Sequence, residues 1–280
     1  MTSYNPASVA RYFDALGARE WTRLVETPTA EVKLHVHSHY LRRYVTPGMR
    51  VLDIGAGAGR FTQVLATLGA SVTVADLSPV QLSLNKQHAA EHAFAHAVTD
   101  WVMADICDLS AFPDEAFDAV VCYGGPLSYV FERRQEALDE LRRVTAPGGY
   151  LFLSVMCLWG SIHEKLPSVL ATDAMENARV IATGELRLGA DDGTRHQCHL
   201  YRAHEFRVLL EAAGCELLAL SASNSLSSGW GASLDTIRAD AARWEELLGM
   251  EVEAGAQAGC LDLGTHLIAV IRRPVAQHPD

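Results

Sequence analysis

The sequence predicts an α/β fold: a mostly parallel sheet with helices on both faces. Three observations carry that reading. Val51, Leu52 and Ile54 form a short buried strand that runs through Gly55, Gly57 and Gly59 into a helix over Phe61–Leu68, with Phe61, Val64, Leu65 and Leu68 at helical spacing. A second strand, Ser71–Ala75, ends on an acid, Asp76, and is followed at once by the helix-start signal Ser78-Pro79. Further apolar runs, Trp101–Ala104, Ala119–Cys122 and Tyr150–Met156, alternate with helical-period segments, as strand–helix–strand crossovers do. A chain of 280 residues suits one such domain with insertions.

The remaining elements follow from the same signals. Ser3 or Asn5 caps a helix that starts at Pro6 and carries Val9, Tyr12, Phe13 and Leu16 inward. Trp21, Leu24 and Val25 prolong that stripe past Gly17. A second helix covers Thr29–Val45 and stops at Pro47-Gly48. The helix after Asp76 runs from Pro79 to Ala97, and Leu138, Leu141 and Val144 line another that closes at Ala146-Pro147-Gly148-Gly149. Cys157–Leu200 does not read as sheet core. Its Trp159, His163, Met175 and polar run from Gly189 to Gly193 suit a lid or recognition insert, with a strand at His196–Tyr201. Arg202–Ala213 is a helix, Glu216–Leu220 a sixth strand, Leu234–Leu248 mostly helical, and Leu267–Ile271 the last, antiparallel strand.

The chemistry concentrates at the glycine turn. A helix N-terminus behind such a turn offers N–H groups and a positive dipole end to an anion. A dinucleotide fingerprint needs a small residue at the position Arg60 occupies, and an acid two residues before the first glycine, Asp53, would repel a pyrophosphate. An ammonium beside a carboxylate suits this pattern better, which is the methionine end of S-adenosylmethionine. Asp76 stands at the strand tip from which an acid accepts from both ribose hydroxyls of an adenosine cofactor; its alternative role is a helix cap, which Ser78 can also supply.

Val-Leu-Asp-Ile-Gly-Ala-Gly-Ala-Gly-Arg-Phe, the acid-tipped second strand and the helix–Pro-Gly-Gly–strand passage together resemble class I S-adenosylmethionine-dependent methyltransferases over roughly Arg50–Val155. The overall look is similar to the group that holds ubiquinone and menaquinone methyltransferases and many natural-product O- and N-methyltransferases. That resemblance implies a Rossmann-like, seven-stranded sheet. It implies one methyltransferase domain over 1–280: a helical cap at 1–47, a cofactor core at 48–156, a lid or substrate insert at 157–201, and the C-terminal part of the sheet at 202–280. It implies cofactor contacts from Asp53, Gly55, Ala56, Gly57, Asp76, Leu77, Gln81, Ala104, Asp105, Ile106, Tyr123 and Gly124, with Leu77 and Gln81 flanking the adenine and Asp105 meeting its amine. Its function would be methyl transfer to a small-molecule acceptor through an O, N or C atom left open.

Such transfer needs little acid–base chemistry from the protein beyond holding the acceptor in line and excluding water. Tyr123, Ser128 and Tyr129 are the polar groups placed for that. His163, His196 and His199 are candidates for a general base, and the reading does not choose among them. Tyr129, His163 and His199 are carried forward as catalytic candidates. His35, His37 and His39, and likewise His88, His92 and His96, read as packing or surface histidines, and no metal is expected. The net charge of −11 argues against a nucleic-acid footprint, hence against RNA methylation, and favours neutral or cationic acceptors. Six scattered cysteines, no apolar run of membrane-spanning length and a polar N-terminus predict a reduced, soluble, cytoplasmic protein, with homo-oligomerisation left open. A protein that binds S-adenosylmethionine or its product without catalysis is the alternative from another class.

Overall fold

Asn5, Thr27 and Ser78 each stand directly before a proline, and each starts a helix in the computed structural model, which describes residues 3–188 and 196–275. Their side-chain oxygens accept from the N–H groups of Ser8, Ala30 and Gln81, which the helix itself leaves unpaired. The helices so begun are α1 (Pro6–Leu16), α3 (Pro28–Tyr44) and α5 (Pro79–Glu91), with the one-turn α2 (Arg19–Thr22) between the first two. Predicted to reach Ala97, α5 instead stops at Glu91, because Ala93 takes a left-handed conformation at φ 58° that breaks the helical ladder.

The core is β1 (Arg50–Ile54), α4 (Arg60–Thr67), β2 (Ser71–Asp76), β3 (Val98–Met103), β4 (Phe117–Cys122), α6 (Arg134–Val144) and β5 (Thr145–Met156). The insert that follows contains α7 (Leu158–Glu164), α8 (Leu166–Leu170), α9 (Ala174–Thr183) and the hairpin β6 (Glu185–Leu188) and β7 (His196–His199). The chain ends with α10 (Ala203–Ala212), β8 (Glu216–Ser223), α11 (Ala232–Arg238), α12 (Ala241–Gly255) and β9 (His266–Arg272). The polar run at 189–193 lies outside the described residues.

Seven strands form one sheet in the order β3-β2-β1-β4-β5-β9-β8, parallel except for β9. Both faces are covered. Leu52, Ile54, Val120, Leu138 and Phe206 lie in one apolar cluster, and Val36, Leu41, Val51, Phe61 and Val121 in the other. The chain reverses strand order between β1 and β4, so their carboxyl ends part and leave a crevice there. Pairing of β5 begins at Thr145, before the expected Tyr150, across a register shift at Pro147-Gly148-Gly149. A Cβ on Gly149 would stand 2.7 Å from the Asp118 carbonyl oxygen, which excludes any other residue there.

Candidate active site

The crevice opens into a pocket of about 840 Å³, part of it open to solvent, walled by the glycine turn, the tips of β2, β3 and β4, and the cap helices. Two turn glycines have tertiary reasons to be glycine. Gly55, at φ +69°, packs so closely on the β4 loop that a Cβ would come 2.4 Å from Pro126 Cγ. Gly57, at φ +53°, faces the cap, where a Cβ would stand 3.0 Å from Glu20 Cγ.

Asp76 is 8% exposed and its carboxylate accepts from the Gly57 and Ser78 N–H groups, both at 2.8 Å. Burial pushes it up to about 6, partly offset by those two bonds, with Glu20 adding a like charge. Ser78 makes the helix cap, so Asp76 is left to face the pocket.

Ala56, Leu77, Ala104, Ile106 and Gly124 line the pocket with Gly55, Gly57, Asp76 and Asp105. Asp105 Oδ1 accepts from Tyr4 Oη at 2.8 Å and from the Cys107 N–H at 2.9 Å, so the N-terminal segment closes this end of the pocket.

Four predicted placements are corrected. Asp53 is not on the wall. It lies behind the turn, where its carboxylate accepts from Thr62 Oγ1 at 2.7 Å and burial pushes it up to about 7. Gln81 is fully buried and turned away from the pocket; its amide donates to the Phe13 and Gly17 carbonyls at 2.8 and 3.1 Å and so ties α5 to the cap. His199 is held by Glu205 at 2.6 Å, beside Arg134, away from the pocket lining. His163 is exposed, with Gly229 nearby, and does not reach the wall. Tyr123 lines the pocket, but its hydroxyl is buried without a hydrogen-bond partner, on the side of Tyr40. The turn is also less open to an anion than its glycines suggest. The N–H groups of Gly55 and Ala56 go to Ala75, that of Gly57 to Asp76 and that of Gly59 to Ala56.

Tyr129 does reach the wall. Its hydroxyl is hydrogen-bonded to His196 Nε2 at 3.0 Å, and Tyr12 stacks on that imidazole at 4.9 Å. The insert hairpin and α1 therefore meet over the pocket through one histidine.

The cap contributes groups that no sequence motif marked. Glu20 pairs with Arg23 at 2.6 Å, and its other oxygen, Oε2, is buried with no partner. Arg23 lies over Gly124, where a Cβ would stand 3.4 Å from its Nη2. Trp21 pins this segment down. The Arg60 guanidinium lies 3.6 Å from its ring centroid, His88 and His92 stack on it at 4.1 and 4.9 Å, and Arg60 Nε donates to its carbonyl at 2.7 Å. Arg60, His88 and His92 thus act together in holding the cap; only the spacing of the histidines was legible beforehand. Among the described residues no cluster of metal-ligating side chains occurs.

A strand-order switch with a glycine turn, an acid at the tip of β2 and unpartnered carboxylate oxygen in the crevice is the arrangement of an adenosyl-cofactor enzyme. The comparisons carry this further. Residues 52–153 match the family model described as a methyltransferase domain. The chain is 30% identical over 216 residues to a ubiquinone biosynthesis O-methyltransferase of Xanthomonas axonopodis pv. citri, covering 73% of this chain and 79% of the relative. It is 31% identical over 181 residues to the protein of the same name from Xanthomonas campestris pv. campestris strain B100, and there it spans 66% of the relative's length.

Two similar solved structures are the [4+2]-cyclase SpnF and the 1,6-didemethyltoxoflavin-N1-methyltransferase of Burkholderia thailandensis. The first has a TM-score of 0.62 at 20% identity, over 99% of this chain and 98% of that one. The second has 0.58 at 16% identity, over 98% and 92%. At such identities the likeness is one of fold. The chain belongs to the class I S-adenosylmethionine-dependent methyltransferases, whose cofactor is S-adenosyl-L-methionine.

Proposed function

We propose that the protein transfers a methyl group from S-adenosylmethionine to a hydroxyl of a small molecule. The observation that carries this is Asp76. It is a buried acid at the tip of β2 in a pocket whose glycine turn admits close backbone approach, and it is free of the capping role that Ser78 fills. The oxygen atom as acceptor is supported by the relatives named O-methyltransferases.

When bound, S-adenosylmethionine supplies an electrophilic methyl group on a sulfonium. Asp76 accepts from the ribose hydroxyls, and Asp105 and Ile106 border the adenine. The N–H groups of Gly55, Ala56, Gly57 and Gly59 are already engaged, so we assign the cofactor carboxylate to Arg23 and the cofactor ammonium to the free Glu20 Oε2, which accepts from it. Tyr129, held by His196, borders the acceptor and orients its hydroxyl. The cap, locked by Trp21 between Arg60 and His88, excludes water from the reacting atoms. No helix among the described residues is long and apolar enough to cross a membrane. The six cysteines are free thiols, which suits the reducing cytoplasm to which we assign the protein.

Calorimetric titration with S-adenosylmethionine, S-adenosylhomocysteine and NADH tests the cofactor, and release of S-adenosylhomocysteine in the presence of a panel of phenols tests the transfer. Binding of the adenosyl compounds without NADH, followed by turnover on a phenol, is the expected result. Binding without turnover on any hydroxyl, amine or carbon acceptor would favour a non-catalytic binding protein, and no adenosyl binding would remove the proposal.

A further inference from the structure

In chain order the pocket's lining begins with Tyr4, which stands where β3 ends, beside Asp105. Fastenings on either side of it fix its place. Ser3 Oγ and the Tyr4 N–H donate to the Glu132 carboxylate at 3.0 and 3.1 Å. Asn5, the next residue, caps α1. The Tyr4 ring packs against the apolar cluster that holds Ile106 and Cys107, and the Arg133 guanidinium lies 5.6 Å from the ring centroid. From there the Tyr4 hydroxyl reaches Asp105 Oδ1 at 2.8 Å. Burial and the neighbouring carboxylate hold the phenol above its ordinary value, so it stays protonated and donates.

Asp105 is half-buried and lines the pocket beside Ile106. Its backbone is set by a tight turn in which the Asp108 N–H donates to the Asp105 carbonyl oxygen at 2.8 Å. Its carboxylate is set by two donors that meet on one atom: the Tyr4 hydroxyl and, at 2.9 Å, the Cys107 N–H both end on Oδ1. Two donors on one oxygen restrict the rotation of the carboxylate and leave Oδ2 as the oxygen for a ligand. The Cys107 bond comes from two residues away and belongs to the turn itself. The Tyr4 bond spans 101 positions and forms only when the N-terminal segment is seated on the pocket.

We propose that Tyr4 is a specificity-determining positioning residue: by holding Oδ1 it aims Oδ2 of Asp105 at the exocyclic amine of the cofactor's adenine, so that the site reads adenine and rejects a 6-oxo purine. This rests on the methyltransferase reading, in which Asp105 and Ile106 border the adenine, and deepens it. A carboxylate accepts from an amine but is set against a carbonyl oxygen. Held in place it rejects the 6-oxo base, and free to rotate it yields. Adenine recognition is thereby tied to residues 3–5, which lie ahead of the segment at 52–153 that carries the family match.

The test titrates the full chain calorimetrically with S-adenosylhomocysteine and with S-inosylhomocysteine, which has a 6-oxo group in place of the amine. Wild type prefers the adenosyl compound about 100-fold. Tyr4→Phe keeps the ring and lowers that preference about tenfold. Asp105→Asn, whose amide can donate to the 6-oxo group, abolishes it, and Tyr4→Phe added to Asp105→Asn changes the ratio no further. A Tyr4 that only packed would weaken both ligands alike and leave the ratio where it was. An unchanged ratio in Tyr4→Phe, a tenfold change that persists in the Asp105→Asn background, or equal binding of the two compounds by wild type would each overturn the proposal. Failure of the wild-type chain to bind S-adenosylhomocysteine would instead remove the cofactor reading on which it stands.

Discussion

Asp76→Asn separates the stability role of this carboxyl from its ligand role, because the two respond with opposite sign. Raising the carboxyl from 3.8 to about 6 is a shift of about two units, or ~3 kcal/mol between its protonation states. The folded-state value lies above the unfolded one. The contribution to stability is therefore fully present below pH 3.8 and is lost as pH rises through about 6. Asparagine keeps the shape and one acceptor but cannot ionise. It gives up one bond to the Gly57 or Ser78 N–H, which costs about 1 kcal/mol. The apo variant is thus expected to be as stable as wild type or up to about 2 kcal/mol more stable at pH 8, and less stable at pH 4.

Cofactor binding moves the other way. A bond from a ribose hydroxyl to a carboxylate contributes about 1.5–3 kcal/mol, so S-adenosylhomocysteine affinity falls about 10- to 150-fold in the variant. Wild-type affinity is about tenfold weaker at pH 5 than at pH 7, as the acid protonates, and the variant's is flat over that window. His37, pushed down to about 3 by burial, opposes the stability trend below pH 6.5, so the quantity to read is the difference between wild type and variant. Denaturant melts and calorimetry across pH 4–8 give both numbers. Unchanged affinity in Asp76→Asn, or the same pH profile in both proteins, would refute the ribose assignment.

Gly55→Ala forces a left-handed φ on alanine and drives its Cβ onto Pro126; a loss of about 2–4 kcal/mol and a melting temperature about 5–10 °C lower are expected by differential scanning calorimetry. Trp21→Ala removes the ring between Arg60 and His88, so hydrogen exchange over residues 6–25 should speed up and S-adenosylhomocysteine dissociate about tenfold faster, while the sheet's protection stays as it was. Tyr129→Phe deletes the hydroxyl held by His196; once an acceptor is in hand, kcat is expected to fall about tenfold with cofactor affinity unchanged, and an equal loss of cofactor binding would mean that Tyr129 shapes the cofactor wall instead.

What was legible in the sequence is what depends on near neighbours in the chain. Strand one, its glycine turn and the Ser78-Pro79 helix start depend on local conformation and period, and they stand within a residue or two of their predicted bounds. What was not legible depends on which distant segment arrives. The family resemblance made Gln81 an adenine neighbour, yet the cap carbonyls of Phe13 and Gly17 claim its amide. His199 looked like a base, yet Glu205 claims it. Gly57 was legible as a turn glycine, but its second reason, the approach of Glu20, exists only once α2 folds over the pocket.

The same division runs through the proposed function. The family match covers 52–153, which contains Asp76, Asp105, Gly124 and Tyr129. Arg23 and His196 lie outside it, on the cap and the insert. The pocket thus mixes the two: Arg23, from the cap, is assigned to the cofactor, whereas Tyr129, inside the matched segment, is assigned to the acceptor together with His196 from the insert. For that reason the acceptor has to be sought from the residues around the pocket, Tyr129 and the His196 that holds it first, rather than from the names of the relatives.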